Sequence, residues 1–251
     1  MKKLFAVLLL SVVAVSPAFA SSDQKHPKHM EWSFDGVFGK VDKPSAQRGL
    51  QVYKEVCSAC HGLSRVAFRS LSSLGFSEGE IKALAAGYSV KDGPNDEGEM
   101  FERPGLPSDK FVSPYANEQA SRAANNGAYP PDLSLIIKAR PDGANYVYSL
   151  LTGYEAAPEG VKLNDGEHYN PYFPGHKLAM AAPLSDGQVS FEDGTQATLD
   201  QEAKDLVNFL QWAAEPEMEQ RKHMGIKVLL YLFVFTGFMY VVKKHIWRKL
   251  H

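Results

Sequence analysis

Residues 57–61 read Cys57-Ser58-Ala59-Cys60-His61, a C-x-x-C-H run that uses both cysteines of the chain. Two thiols three positions apart on one turn can each add to a vinyl group of the same haem. The histidine directly after them then lies beneath the iron and supplies an imidazole nitrogen. This is the signature of c-type haem attachment. Three other uses of the pair compete with it. A thioredoxin-like redox pair needs a βαβ context, and no such pattern surrounds this one. A zinc half-site needs two further ligands at similar spacing, and no other cysteine is present. A disulfide across two intervening residues is unusual. Covalent haem is made outside the cytoplasm, so the motif asks for an exported chain.

The ends of the chain fit that demand. Residues 1–20 carry Lys2 and Lys3, the apolar run Leu4–Val15, and Ala18-Phe19-Ala20 before Ser21. This order is that of a cleavable secretory signal peptide, and the run is short for a membrane span. Export to a bacterial periplasm follows. At the other end Val228–Val242 is apolar all round, and extension to Gly225 makes a helix of roughly 27 Å at 1.5 Å per residue, close to the bilayer core. Lys227 can snorkel, and Tyr240 and Trp247 suit an interface. The expected organisation is a signal peptide (1–20), a periplasmic haem domain (21–224), a transmembrane helix (225–242) and a cytoplasmic tail (243–251). A signal peptide at the front sets the orientation, placing the protein single-pass in the inner membrane.

The 251 residues are 44% hydrophobic and 22% charged, which suits one ordinary domain plus extras and excludes disorder and collagen-like repeats. All 29 acidic residues lie between Ser21 and Met224, whereas seven of the 27 basic ones lie at the ends. An acidic body is the opposite of a nucleic-acid binder, so no nucleic-acid partner is expected. The acidic run Asp92, Asp96, Glu97, Glu99 and Glu102 has two readings, a steering patch for a basic partner or a solvated loop.

Local signals predict a mainly α domain with long loops and a small β-hairpin, plus one C-terminal transmembrane helix. Ser45 is read as the cap of a first helix running to Cys57. Ser77 and Glu80 have capping-box spacing, as do Thr198 and Gln201. The helix after Thr198 is expected to bury Ala203, Leu206, Val207 and Leu210. Asn117 starts another helix, and Ala144–Leu151 is helical with Tyr146, Val147, Leu150 and Leu151 inward. Residues 91–116 and 155–186 read as loops, and Val189–Ala197 as a hairpin turning at Asp193-Gly194. Long loops need something to pack against, and a large apolar cofactor would serve.

The sixth iron ligand decides the class of function. A thioether opposite histidine raises the reduction potential and suits electron transfer, whereas an open position suits gas sensing or peroxidase chemistry. Met180 sits in Lys177-Leu178-Ala179-Met180-Ala181-Ala182-Pro183, where small neighbours let the backbone approach a flat ring. His168 and His176 are its rivals. Met30, Met100, Met218 and Met224 are less well placed. Arg140, after an apolar run and before Pro141, and Tyr146 on the next helix can pair with haem propionates.

Several further runs carry a resemblance. Asn125-Asn126-Gly127-Ala128-Tyr129-Pro130-Pro131-Asp132-Leu133-Ser134, Tyr146-Val147-Tyr148-Ser149-Leu150-Leu151-Thr152-Gly153-Tyr154, Asn170-Pro171-Tyr172-Phe173-Pro174-Gly175 and Met180-Ala181-Ala182-Pro183 are, with C-S-A-C-H and the C-terminal anchor, similar to the cytochrome c1 family. The resemblance spans about Trp32 to Trp247. It implies the haem-bearing subunit of a cytochrome bc1 complex, ubiquinol–cytochrome c reductase. One haem c is then held by Cys57 and Cys60 and ligated by His61 and Met180, with Arg140 and Tyr146 near its propionates. The implied partners are cytochrome b, the Rieske iron–sulfur protein as donor, a soluble cytochrome c as acceptor, membrane lipid, and a dimeric complex. No bond-making on a substrate is expected of this subunit. Some bacterial members carry an extra cysteine pair that this chain lacks.

Overall fold

The computed structural model describes residues 24–248, so the expected signal peptide and the last three residues of the tail lie outside it. The frame is the crossing of two helices, α1 (Lys43–Glu55) and α6 (Leu199–Ala214). Each is amphipathic. α1 buries Ala46, Leu50, Val52 and Tyr53, and α6 buries Ala203, Leu206, Val207, Phe209 and Leu210. The crossing is close enough that a Cβ built on Gly49 would stand 2.0 Å from the Asp205 carbonyl oxygen. Asp205 is buried in this crossing. Its carboxylate accepts from the Ser45 hydroxyl (2.6 Å), Arg48 Nε (2.7 Å) and Nη2 (2.9 Å), and Gln201 Nε2 (3.0 Å). A buried charge persists where it is paired and fully hydrogen-bonded.

Three helical caps follow the local chemistry and one does not. Ser77 and Glu80 form the capping box of α2 (Glu78–Ala86), Asn117 caps α3 (Glu118–Ala124), and Thr198 caps α6. At α1 the cap is Asp42, which accepts from the Ser45 N–H, and the helix ends at Glu55 rather than Cys57. Ser45 is one turn inside, with its hydroxyl spent on Asp205. The short α4 (Ile136–Ala139) and α5 (Gly143–Leu151) pack on α6. Tyr53, Phe68, Tyr88 and Phe111 meet in tilted and edge-on pairs 4.4–5.9 Å apart, and Phe209 extends the cluster to Trp212.

Sheet is limited to two antiparallel pairs among the described residues. β1 (Ser89–Asp92) pairs with β2 (Phe101–Pro104), so part of the expected 91–116 loop is a hairpin. Arg103 ties it together by bonding Asp92 across the pair and Asp109 beyond it. The acidic residues Asp96, Glu97 and Glu99 lie exposed in its connection. β3 (His168–Tyr169) pairs with β4 (Lys177–Leu178). The hairpin expected at Val189–Ala197 is absent. Val189 and Phe191 are core residues, and the Val189 N–H donates to the Glu202 carboxylate (3.0 Å) instead of to a ladder.

α7 (Met218–Trp247) is one continuous helix, about 45 Å long at 1.5 Å per residue. Met218 is in the core, whereas every residue from Val228 to Val241 is exposed. It is long and apolar enough to cross a membrane. Its helical geometry begins seven residues before the expected start of the span at Gly225.

Candidate functional site

α1 ends at Glu55, two residues before Cys57, and Val56 leads into a 3-10 turn (Cys57–Ala59). The carbonyl of Cys57 accepts from both Cys60 N–H (3.1 Å) and His61 N–H (2.9 Å), which fixes the two thiols and the imidazole around one turn. The Tyr53 hydroxyl donates to the His61 carbonyl (3.1 Å). The next residues are strapped to the segment 131–134. Leu133 N–H donates to the Gly62 carbonyl (2.9 Å), Ser64 N–H to Asp132 Oδ2 (2.9 Å), and Arg65 N–H to the Ser134 hydroxyl (3.0 Å). Asp132 also accepts from Ser134 N–H (2.8 Å). Burial opposes its charge, but these bonds outweigh it and hold the carboxyl below the ordinary carboxylate range.

This strap sets the histidine. His61 Nδ1 lies 2.8 Å from the Pro131 carbonyl oxygen. A carbonyl only accepts, so Nδ1 carries the hydrogen and Nε2 keeps its lone pair. Burial lowers the basicity of His61 against the opposing pull of Pro131 and Asp132, so the ring is neutral at neutral pH. Burial, helped by neighbouring Cys60, pushes the Cys57 thiol up to about 12. Both cysteines are unpaired, so the disulfide alternative is not formed here.

Cys57, Cys60 and His61 open onto a cavity of about 870 Å³, near the upper end of the roughly 300–1,000 Å³ range of cofactor sites. Apolar side chains dominate its walls: Leu133 and Ile136, then Val147, Leu150 and Leu151 of α5, then Leu206 and Leu210 of α6. Leu178 to Pro183 close it, and Met180 is the one methionine among its lining residues. His168 and His176, the rival ligands, are not in the lining. Met30 lines a different cavity, Met218 is core, and Met100 and Met224 are exposed. Arg140 and Tyr146 line the same cavity. Burial raises the Tyr146 phenol, with the Arg140 guanidinium opposing it. All six residues singled out in the sequence thus border one space.

The loop that carries Met180 is held from behind. Buried Asn170 donates from Nδ2 to the Leu150 carbonyl (2.8 Å), and its Oδ1 accepts from Tyr172 N–H (3.1 Å). Tyr172 packs so closely on Gly153 that a Cβ there would stand 2.4 Å from its ring. The Tyr154 hydroxyl donates to the Met180 carbonyl (3.0 Å). Neither Tyr154 nor the Pro131 carbonyl stands out as functional in the sequence. Pro130-Pro131 signals an extended segment, but which carbonyl meets the imidazole is a tertiary fact. Two thiols, one neutral imidazole with Nε2 unspent, one thioether and an apolar surround are a donor set that fits a covalently attached haem.

The chain matches the family model of the Cytochrome C1 family over residues 32–250. It is 49% identical to cytochrome c1 of Rhodospirillum rubrum over 254 residues, 94% of this chain and 93% of that protein. It is 52% identical to the mitochondrial protein named cytochrome c1 1, heme protein, of Arabidopsis thaliana, over 89% of this chain and 73% of that one. It is 48% identical to cytochrome b/c1 of Bradyrhizobium diazoefficiens over 99% of this chain, and spans only 39% of that longer protein. By sequence over nearly its whole length, this chain belongs to the cytochrome c1 family.

Proposed function

We propose that this chain is the electron-transfer subunit of a cytochrome bc1 complex and carries one covalently bound haem c. The observation that carries the reading is the convergence of Cys57, Cys60, His61 and Met180 on one apolar cavity. Cys57 and Cys60 would hold the haem through two thioether bonds, each thiol adding its sulfur and hydrogen across one vinyl group with no net oxidation. His61 offers Nε2 to the iron, oriented by its Nδ1–H bond to Pro131. Met180 would offer its sulfur to the iron, and Arg140 and Tyr146 would pair with the propionates. Bound haem supplies a one-electron ferric–ferrous couple. The chain's own residues keep water from it with the walls of α5 and α6, and the thioether biases the potential upward.

In this reading residues 21–224 stand in the periplasm, residues 225–242 of α7 anchor them in the inner membrane, and 243–251 lie in the cytoplasm. The donor is the Rieske iron–sulfur protein and the acceptor a soluble cytochrome c, as the family resemblance implies. Cytochrome b beside α7 is supported by the name of the Bradyrhizobium relative, cytochrome b/c1. A 49% identical Candida albicans relative named as a cytochrome b-c1 complex catalytic subunit supports the assembly. The exposed acids of the β1–β2 connection suit the steering of a basic acceptor.

The test is solubilisation of the native membrane in mild detergent, followed by subunit identification and a quinol-to-cytochrome c assay. The chain is expected to travel with cytochrome b and a Rieske protein, in a fraction whose activity antimycin abolishes. A haem-loaded chain that purifies alone, from membranes whose quinol oxidation does not need it, refutes the assignment.

A further inference from the structure

The turn Gly36-Val37-Phe38-Gly39 exposes two apolar side chains, Val37 by 62% and Phe38 by 81%, beside a buried stack of Trp32 on Phe34. A single exposed apolar residue needs no explanation, but the place of these two does. The turn is strapped to the start of α7. The Lys222 ammonium donates to the carbonyls of Phe34 (2.7 Å), Gly36 (2.7 Å) and Gly39 (3.0 Å), which occupies all three of its donors. The Val41 N–H donates to Glu219 Oε1 (3.3 Å), one turn back on the same helix. Gly39 is fixed tightly, because a Cβ there would stand 2.0 Å from the Asp35 carbonyl oxygen.

The strap sets a height. Lys222 precedes Val228, where the fully exposed apolar run begins, by six residues, or about 9 Å of helical rise. Ile226, one turn below Lys222 on the same face, is half-buried, unlike the exposed residues beyond it. The polar layer on each side of a bilayer core is roughly 5–7 Å thick. The strap thus stands about 2–4 Å outside that layer, a gap shorter than a phenylalanine side chain, and aromatic side chains favour the interface.

We propose that the Gly36–Gly39 turn is a second membrane contact. Val37 and Phe38 seat in the headgroup–acyl boundary of the lipid bilayer beside α7, and Lys222 fixes the turn at that depth. Two contacts hold the globule at one tilt above the membrane, where a lone helix would let it pivot. The inference rests on α7 crossing the bilayer.

The test uses the full haem-loaded chain in phosphatidylcholine–phosphatidylglycerol vesicles, with a nitroxide on Phe38→Cys or, with Phe38 intact, on Val37→Cys. Labels on Phe235→Cys and Val161→Cys mark the mid-helix and the exposed globule, and the unsubstituted chain is the blank for Cys57 and Cys60. Power saturation compares access to oxygen with access to a water-soluble nickel chelate. Positions 37 and 38 are expected to favour oxygen, at values between those of 235 and 161. Adding Lys222→Met is expected to return them to the aqueous value while leaving 235 unchanged. Labels at 37 and 38 that match 161 overturn the proposal while the anchor stands. A label at 235 that is itself aqueous overturns the anchor, and the proposal with it. In the assembled complex, loss of access to both reagents at 38 means a protein surface covers the turn, which also overturns it.

Discussion

Tyr154→Phe removes one hydroxyl from behind Met180. In the native protein that hydroxyl donates to the Met180 carbonyl at 3.0 Å, and Tyr154 is half-buried. The ring and its packing stay, so the change isolates the hydrogen bond. A net intramolecular bond of this kind contributes about 0.5–1.5 kcal/mol, and each 1.36 kcal/mol is tenfold in an equilibrium. If Met180 closes the sixth position, its detached form becomes about two- to thirteenfold more populated in the variant. The Met180 segment is only partly buried, so water can take over some of the lost bonding and the lower half of that range is expected. Carbon monoxide competes for the same position on reduced iron. Its apparent affinity should therefore rise by the same factor, read from the spectrum of the reduced protein across a carbon monoxide titration. An affinity equal to that of the parent refutes the idea that this bond holds the ligand in place. Tight carbon monoxide binding by the parent itself refutes Met180 as the ligand.

Three further perturbations probe the frame and its charges. Arg48→Met leaves buried Asp205 with only Ser45 and Gln201 as partners; breaking such a pair costs about 3–5 kcal/mol, or a melting shift of about 6–20 °C, and a calorimetric shift below about 2 °C would contradict the role given to the pair. Gly49→Ala drives a methyl into the Asp205 backbone and should lower the unfolding free energy, read from chemical denaturation, by about 1–3 kcal/mol or more; an alanine variant as stable as the parent would mean the crossing is looser than described. Glu202 is buried with Oε2 unpartnered, and burial raises its carboxyl, against bonds from the Val189 and Gln188 backbone and with Asp186 adding to the rise. Its folded value lies above its unfolded one, so the stability tied to its proton is present at acid pH and fades as pH rises through the folded value. Glu202→Gln should therefore gain melting temperature over the parent at pH 7 and lose that advantage toward pH 4. A gain that persists unchanged at pH 4 contradicts the assignment to this carboxyl.

The chemistry of the site was more legible in the sequence than its architecture. C-x-x-C-H is local, so Cys57, Cys60 and His61 are readable from five residues. Met180 was singled out by its small neighbours, and the fold brings it to the same cavity across more than a hundred residues of chain. The walls from Leu206 and Leu210, and the Pro131 carbonyl that orients His61, depend on which segments meet, and no short-range pattern encodes that. The same limit explains the misplaced cap. Ser45 has capping chemistry, but its hydroxyl is drawn to Asp205, 160 residues away, and Asp42 supplies the cap.

The two hairpins failed for opposite reasons. Ser89–Asp92 and Phe101–Pro104 lack alternating apolar residues in sequence, because Arg103 and its carboxylates hold the pair rather than an apolar face. Val189–Ala197 has a good turn in Asp193-Gly194, and the Gly194 N–H does close a turn onto the Phe191 carbonyl (3.2 Å). The flanking residues do not pair, because Val189 and Phe191 are pulled into the core and the Val189 N–H is taken by Glu202. The turn closes one residue earlier than a hairpin at Asp193-Gly194 requires, with Glu192 and Asp193 at its centre, and tertiary burial decides what the flanks become.

The most direct measurement is the intact mass of the mature chain, with the pyridine haemochrome spectrum of the same denatured sample, after production in a host with working haem-ligation machinery. The account predicts a mass one haem above that of the polypeptide cleaved after Ala20, with the spectrum of a porphyrin whose two vinyl groups are saturated by Cys57 and Cys60. A bare polypeptide mass, or pigment that washes out into acid acetone, would contradict it.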